Sequence, residues 1–398
     1  MQDVILLSLA NIPSFLAEQA SASLQEHFGP GEEIRHVFVP GRVNLIGEHI
    51  DYYNLAVLPM AIGRGIYITY RPRPDATVRA VSASENTASV FHFSDNERAK
   101  PGSWINYLLA AKAVAQDGWK ITSGIDAAIA SNLPSAAGLS SSSALLVGFT
   151  VALLRANGIE PSIPDLMRVL PEGEQFVGTR GGGMDHAAVL AGHPGCALHI
   201  SFSPLRLSPV PIPQDWRFLV AHSLTTAEKS GAVREKYNAL RVAGTGALER
   251  LGLPSYAAVL EPDALPSLSK LNEMERNVFS HVWEEARRVQ HAVEALQSRD
   301  FAQFGLLLNK SHRSLRDQLH ISNAAVDTLV ETALDSGAAG ARMTGAGFGG
   351  CVIALCHARN IDSVRNALRK RYYAKQLNQF DPGNHLFIAE PSAGALIE

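Results

Sequence analysis

Apolar and polar positions alternate over Ile66–Tyr70 and again over Thr77–Val81, a period of two that predicts a pair of strands. The prolines of Arg71-Pro-Arg-Pro-Asp75 mark the turn between them. Ahead of this pair, the run Val57-Leu-Pro-Met-Ala-Ile62 opens a buried element. Helices are predicted over 104–116 and over 144–156, the second directly behind a run of serines. Val278, Val282, Val289, Val293 and Leu296 recur at helical spacing with Glu284, Glu285, Arg287 and Arg288 between them. That pattern predicts an amphipathic helix over 278–296 with a solvated charged face, on which His281 and His291 read as surface residues. Towards the end of the chain, strands are predicted over 340–343, 351–356 and 385–389, with a helix over 361–377 between the last two. Strands and helices therefore mix in both halves, an α+β pattern.

A chain of 398 residues is long for one core, and prolines cluster at 194, 204, 209, 211 and 213. The expected organisation is a first domain over 1–195 and a second over 196–398. A hydrophobic fraction of 46% and a charged fraction of 18% are ordinary for a globular protein. A net charge of −3 without a basic cluster excludes a nucleic-acid partner. Of the three cysteines, Cys351 and Cys356 sit in an apolar run as small hydrophobes, which excludes a disulfide framework. The fourteen histidines show no metal-ligand spacing. The short run Val4-Ile-Leu-Leu7 follows Asp3 instead of a basic segment and does not read as a secretory signal, and no apolar stretch reaches membrane-spanning length. A cytoplasmic enzyme, with no membrane partner, is the expectation.

The chemistry concentrates in Pro40-Gly-Arg-Val-Asn-Leu-Ile-Gly-Glu-His-Ile-Asp-Tyr-Tyr53. Arg42, Asn44, Glu48, His49 and Asp51 offer donors and anionic acceptors of the kind a sugar with adjacent hydroxyls needs, although spacing alone also permits a surface ion-pair patch. A second cluster, Gly138-Leu139-Ser140-Ser141-Ser142-Ser143-Ala144, combines a glycine, four hydroxyls and a following helix. Hydroxyls and first-turn N–H groups together form an anion site, while a plain serine cap is the alternative. No lysine follows the glycine, so this is not a Walker A loop. Gly181-Gly-Gly183 lets a ligand approach the backbone just before Asp185. Gly345-Ala-Gly-Phe-Gly-Gly350 matches G-x-G-x-x-G, but a strand-like run follows it in place of a helix, which disfavours a dinucleotide-binding fold.

Gly41–Tyr52 followed by Val57–Ile62 resembles the signature of the galactokinase family. Leu133–Ala144 resembles the phosphate loop of the wider GHMP kinase superfamily, and Gly340–Cys351 its third motif. Trp104–Tyr107, Gly181–Asp185 and Ser311–Asp317 are similar as well. The resemblance implies a ribosomal-protein S5-like first domain, a ferredoxin-like second domain and an active site between them. It also implies a monomer that takes galactose and ATP with Mg2+ and makes galactose 1-phosphate and ADP. Asp185 would face the attacking hydroxyl and Arg42 would pair with it. A guanidinium there would lower the carboxylate's pKa and make it a weak base, which suffices where the transition state is loose. Glu48, His49, Asp51, Gly182 and Tyr237 would hold the sugar. Ser140 and Ser141 would belong to the phosphate cradle within 138–144, and Ser142 and Glu174 would hold the magnesium ion. Taken alone, Glu174 also reads as a solvated helix residue and Tyr237 as part of an amphipathic core.

One departure stands out: His186 occupies the place where the family usually has glutamine. The four-serine loop and Glu174–Asp185 are also similar to the N-acetylgalactosamine kinase subgroup, which keeps that sugar open as the substrate. The family further includes sugar and ATP sensors without appreciable turnover, but those are altered at the phosphate loop, whereas Arg42, Asp185 and the serine run with Ala144 are all present here. The Gly-Glu-His-x-Asp-Tyr cluster belongs to the sugar-specific branch and argues against mevalonate or homoserine kinase.

Overall fold

The computed structural model describes residues 14–134, 137–178, 181–226, 231–260 and 266–397. The run at 4–7 lies outside them, as do Ser135, Ala136, Thr179 and Arg180 within two of the motifs.

Strand β1 (Arg35–Ile46) pairs antiparallel with β2 (Leu58–Pro72), which pairs with β5 (Ile125–Ser131). β3 (Thr77–Ser82) runs parallel to β5 and carries β4 (Thr87–His92) at the edge. The first part of the signature segment, through Ile46, is thus strand, Glu48, His49 and Asp51 lie in the loop and short 3-10 turn after it, and the two apolar runs at 57–62 and 66–70 are joined in β2. Side chains alternate across β1. Val37 and Val39 enter the main core, packed with α3 (Ser141–Ala156), while Phe38 turns to α1 (Ser14–Phe28) with Leu16 and Ala20. Because both faces are covered, β1 is buried almost throughout, and Arg42 is buried with it. On the α3 side lie α2 (Ile105–Trp119), α4 (Ile163–Val177) and α5 (Met184–Ala191).

A hairpin of β6 (Cys196–Phe202) and β7 (Leu205–Pro211) bridges back to the first sheet through Val57 and Ile200. The second sheet is antiparallel in the order β11-β8-β10-β9, built from β8 (Trp216–His222), β9 (Gly340–Met343), β10 (Cys351–His357) and β11 (Leu386–Ala389). Its helices are α6 (Gly231–Leu251), α7 (Glu273–Ser298), α8 (Phe301–Asp317), α9 (Ala324–Asp335) and α10 (Ile361–Arg371). Helix α11 (Pro382–His385) precedes β11 and includes His385, which the pattern had placed in a strand. After the second sheet is complete the chain returns to the first, where β12 (Leu396–Ile397) pairs with β1.

The charged face expected on α7 is not uniformly solvated. Asn272 and Glu275 form a capping box that starts this helix. Further along, His281, Glu285 and Arg288 are buried, in contrast to the surface placement predicted for them, while His291 is exposed. The helix packs on α8 and β1, so polar groups on its inward side are used up by partners instead of by water.

Candidate active site

Arg42 projects from β1 just after a register shift between Pro40 and Arg42. Its Nε and Nη2 both reach Asp185 Oδ1, at 2.9 and 2.7 Å, and its Nη1 donates to the Gly138 carbonyl at 2.6 Å. One guanidinium therefore joins the carboxylate at the start of α5 to the serine loop before α3. Arg42 is 3% exposed, which removes the surface ion-pair alternative.

The loop after β1 turns sharply, with Gly47 at φ 108° and His49 at φ 61°. A non-glycine residue in the left-handed region needs support, and His49 has it. Its Nε2 donates to the Ala346 carbonyl at 3.1 Å, and its Nδ1 lies 2.9 Å from the Tyr52 hydroxyl, which fixes the tautomer. Asp51 accepts from the backbone N–H groups of Tyr52 at 2.9 Å and Met184 at 3.3 Å. Burial pushes the Asp51 carboxyl up to about 6, helped by the charge of Asp185. A Cβ on Gly182 would lie 2.3 Å from the Asp51 carboxylate, so only glycine fits there. Glu48 pairs with Arg342 and accepts from the Gly345 N–H at 3.0 Å. Burial pushes its carboxyl up to about 7 against the pull of Arg342. Tyr237 comes from α6, its ring 5.1 Å from that of His49.

Arg42, Glu48, His49, Asp51, Glu174, Gly182, Asp185 and Tyr237 all line one cavity, together with Gly181, Met184, Gly345 and Ala346. The resemblance pointed to eight of these wall positions, gathered from four separate stretches of chain.

At the serine loop, Ser140 adopts φ 60° at the start of α3, and among the described residues its side chain makes no capping hydrogen bond. The plain serine cap is therefore not what this run provides. Helix α3 begins at Ser141, so the later serines belong to its first turn. Ser143 is buried and donates to Glu174 Oε1 at 2.8 Å, whereas Ser141 and Ser142 are half-buried. The hydroxyl brought against Glu174 is thus one residue beyond the expected Ser142. Glu174 is itself buried instead of solvated. A hydroxyl and a carboxylate in this contact suit Mg2+, which favours oxygen ligands and keeps places for water and phosphate. His186 is fully buried, with Nε2 3.6 Å from Glu174 Oε1.

The third motif closes the site from the second sheet. Gly138 and Gly345 both have positive φ, and a Cβ on Gly345 would lie 2.6 Å from the Gly138 carbonyl, so the two loops meet backbone to backbone. Thr344 Oγ1 accepts from the Asn44 N–H at 2.8 Å and donates to its carbonyl at 3.1 Å. Sequence reasoning singled out the glycines of this motif but not Arg342, Thr344, or the helix residues His281 and Glu285 behind the sugar loop. The only signal for Arg342 was a charge inside an apolar strand; Glu285 had none.

Two sheets closing a serine loop and an Arg–Asp pair define a GHMP kinase, and the family models agree. Residues 106–193 match the GHMP kinases N-terminal domain and 292–374 the GHMP kinases C-terminal model. Residues 22–72 match the galactokinase galactose-binding signature. The galactokinase of Streptococcus thermophilus is 34% identical over 391 residues, covering 95% of this chain and 99% of that one. That of Roseiflexus sp. is 34% identical over 361 residues, covering 88% and 90%. The crystal structure of Lactococcus lactis galactokinase complexed with galactose superposes with a TM-score of 0.86 at 28% identity, covering 96% of this chain and 99% of that one. The chain belongs to the galactokinase family.

Proposed function

We propose that this protein transfers the γ-phosphoryl group of ATP to the anomeric hydroxyl of D-galactose, giving α-D-galactose 1-phosphate and ADP. The observation that carries this reading is the Arg42 guanidinium shared between Asp185 and the Gly138 carbonyl. It puts a carboxylate for the sugar hydroxyl and a cation for the phosphate at one point. The sugar oxygen attacks the γ-phosphorus, the bond from that phosphorus to the bridging oxygen breaks, and ADP leaves. Asp185 orients the hydroxyl and accepts its proton late in the reaction. Arg42 stabilises the charge on the transferring group. Glu48, His49, Asp51, Gly182 and Tyr237 hold the sugar, and Ser140, Ser141 and the first-turn N–H groups of α3 cradle the phosphates. Ser142 and Glu174 would hold Mg2+, with Ser143 fixing the Glu174 carboxylate, and the ion when bound neutralises phosphate charge. The protein is proposed to work as a monomer in the cytoplasm.

The test is ADP release with Mg2+ and ATP on D-galactose, N-acetylgalactosamine, L-arabinose and glucose. Greatest turnover on D-galactose supports the reading, preference for the acetylated sugar replaces it, and binding without turnover makes the protein a sensor. Asp185→Asn should lower kcat on the order of a hundredfold or more with an unchanged melting temperature. Near-normal kcat in that variant would remove Asp185 from the role.

A further inference from the structure

We infer that Arg342 is the positioning residue of the sugar pocket, holding the Glu48 carboxylate in the orientation that meets the sugar and so making recognition depend on a strand of the second sheet. The inference deepens the galactose reading above and rests on it. Arg342 lies on β9 and is 0% exposed. Its Nη1 donates to the carbonyls of Asn44 at 3.1 Å and Leu45 at 2.8 Å, and its Nη2 pairs with Glu48 Oε2. A guanidinium that deep needs its charge matched, and because Nε has no hydrogen-bond partner among the described residues the two Nη groups carry the matching. These donors are spent on the last residues of β1 and on the first carboxylate of the sugar loop.

With Nη1 held by the Asn44 and Leu45 carbonyls, the rigid guanidinium directs Nη2 at Oε2 of Glu48 and so sets the position of that carboxylate oxygen. With Oε1 held by the Gly345 N–H at 3.0 Å, both oxygens of Glu48 are fixed from the second sheet. Each carboxylate oxygen has a further lone-pair site, so a sugar hydroxyl can donate to Glu48 without displacing either contact.

The surrounding charges explain why a cation is needed. Facing Glu48 are Arg342 from β9 and, from α7, Glu285 and His281, the last donating from Nε2 to the Glu48 carbonyl at 3.0 Å. Burial and the negative charge of Glu285 favour the protonated acid, and Arg342 opposes them. Without Arg342, Glu48 would hold a proton at neutral pH and present a donor where the sugar presents one too. Galactose binding would suffer while the ATP side stayed intact.

The test measures kcat and the KM values for D-galactose and ATP from about pH 6 to about pH 9. It compares wild type, Arg342→Gln, Glu48→Gln and the double variant, with melting temperatures alongside. The expected result is a galactose KM raised about tenfold or more in Arg342→Gln with the ATP KM within about twofold. The rise of kcat/KM for galactose should move to higher pH. In the Glu48→Gln background the Arg342 change should alter the galactose KM by no more than about twofold, because the residue acts through Glu48. If Arg342→Gln fails to fold, Arg342→Lys, which keeps the charge but not the fork, is measured by the same criteria. An unchanged galactose KM, parallel rises for both substrates, or the same rise in both backgrounds would overturn the proposal. Wild type on the sugar panel separates the two failures: preference for another sugar overturns the galactose reading, and the variants are then measured with that sugar.

Discussion

Burial raises two carboxylates of the proposed sugar pocket towards neutrality. It lifts Glu48 from its ordinary 4.5 to about 7 and Asp51 from 3.8 to about 6. Only the ionised forms accept hydrogen bonds from sugar hydroxyls at both oxygens. The galactose KM should therefore fall as pH rises through about 6 and then 7, and Glu48→Gln should remove the upper part of that change. The sign for folding is opposite. A raised folded-state pKa stabilises the fold fully below the unfolded value, and that contribution disappears as pH rises through the folded value. Steady-state kinetics against pH, with melting curves on the same samples, test both signs; a galactose KM flat between pH 5 and 8 would count against the assignment of these acceptors. At this scale Arg42, Glu48, His49 and Asp51 of the proposed site were legible, because a sugar needs carboxylates and donors and one stretch supplies them. Glu174, Gly182, Asp185 and Tyr237 came instead from the family resemblance. The hydroxyl on Glu174 was not legible. Successive residues in a helical turn point about 100° apart, so the choice between Ser142 and Ser143 depends on where α3 begins.

Helix α7 shows how an element can read correctly in sequence and still be misread in character. Its period gives the helix, but its charged positions divide between solvent and core. Glu285 accepts from the Gly47 N–H at 2.9 Å, from Ser311 Oγ at 2.7 Å and from Arg288 Nε at 2.6 Å. Burial acts against this carboxylate, yet Arg288, Arg342 and the Ser311 hydrogen bond outweigh it and hold it down to about 2. It is ionised at every pH where the protein would work. His281 is driven the other way, down to about 4 by burial, and stays neutral with its Nε2–H on the Glu48 carbonyl. The helix thus grips the sugar loop at Gly47 and Glu48. Glu285→Gln should destabilise the fold by about 2–4 kcal/mol, read from urea unfolding, because it leaves Arg288 without its buried partner. It should also raise the galactose KM through the loosened loop. Unchanged stability would mean that the contacts of Glu285 are dispensable.

On the scale of the whole molecule, the second sheet and the returning C-terminal segment brace β1. Ser392 N–H donates to the Ala61 carbonyl at 3.0 Å and Gly394 N–H to that of Gly192 at 2.8 Å, while β12 pairs with β1. Ala61 lies opposite Arg42 in the β1–β2 register, and Gly192 ends the helix that begins beside Asp185. The C-terminal residues therefore brace both members of the Arg42–Asp185 pair from behind. A chain ending at Glu390 should melt lower by about 4 °C or more and lose kcat more than it loses substrate affinity. Calorimetry and kinetics on the truncated chain test this, and unaltered kcat would show that the brace is not needed.

The sequence by itself determined the chemical inventory: a segment with the donors and acceptors a sugar needs, a serine loop before a helix, a carboxylate behind glycines and a glycine turn between strands. It also determined the strongly periodic helices, because their spacing is a local property. The tertiary structure alone decided which charges are buried and what they meet. Arg342 and Glu48 stand 294 positions apart, and His281 and Glu48 stand 233 apart, so no local pattern couples them. The same holds for Arg42 on β1, which spacing alone could place in a surface ion-pair patch and which is buried because helices cover both faces of the sheet. Periodicity reports which side of an element is apolar. Whether its polar side faces water or a partner depends on what the rest of the chain packs against it.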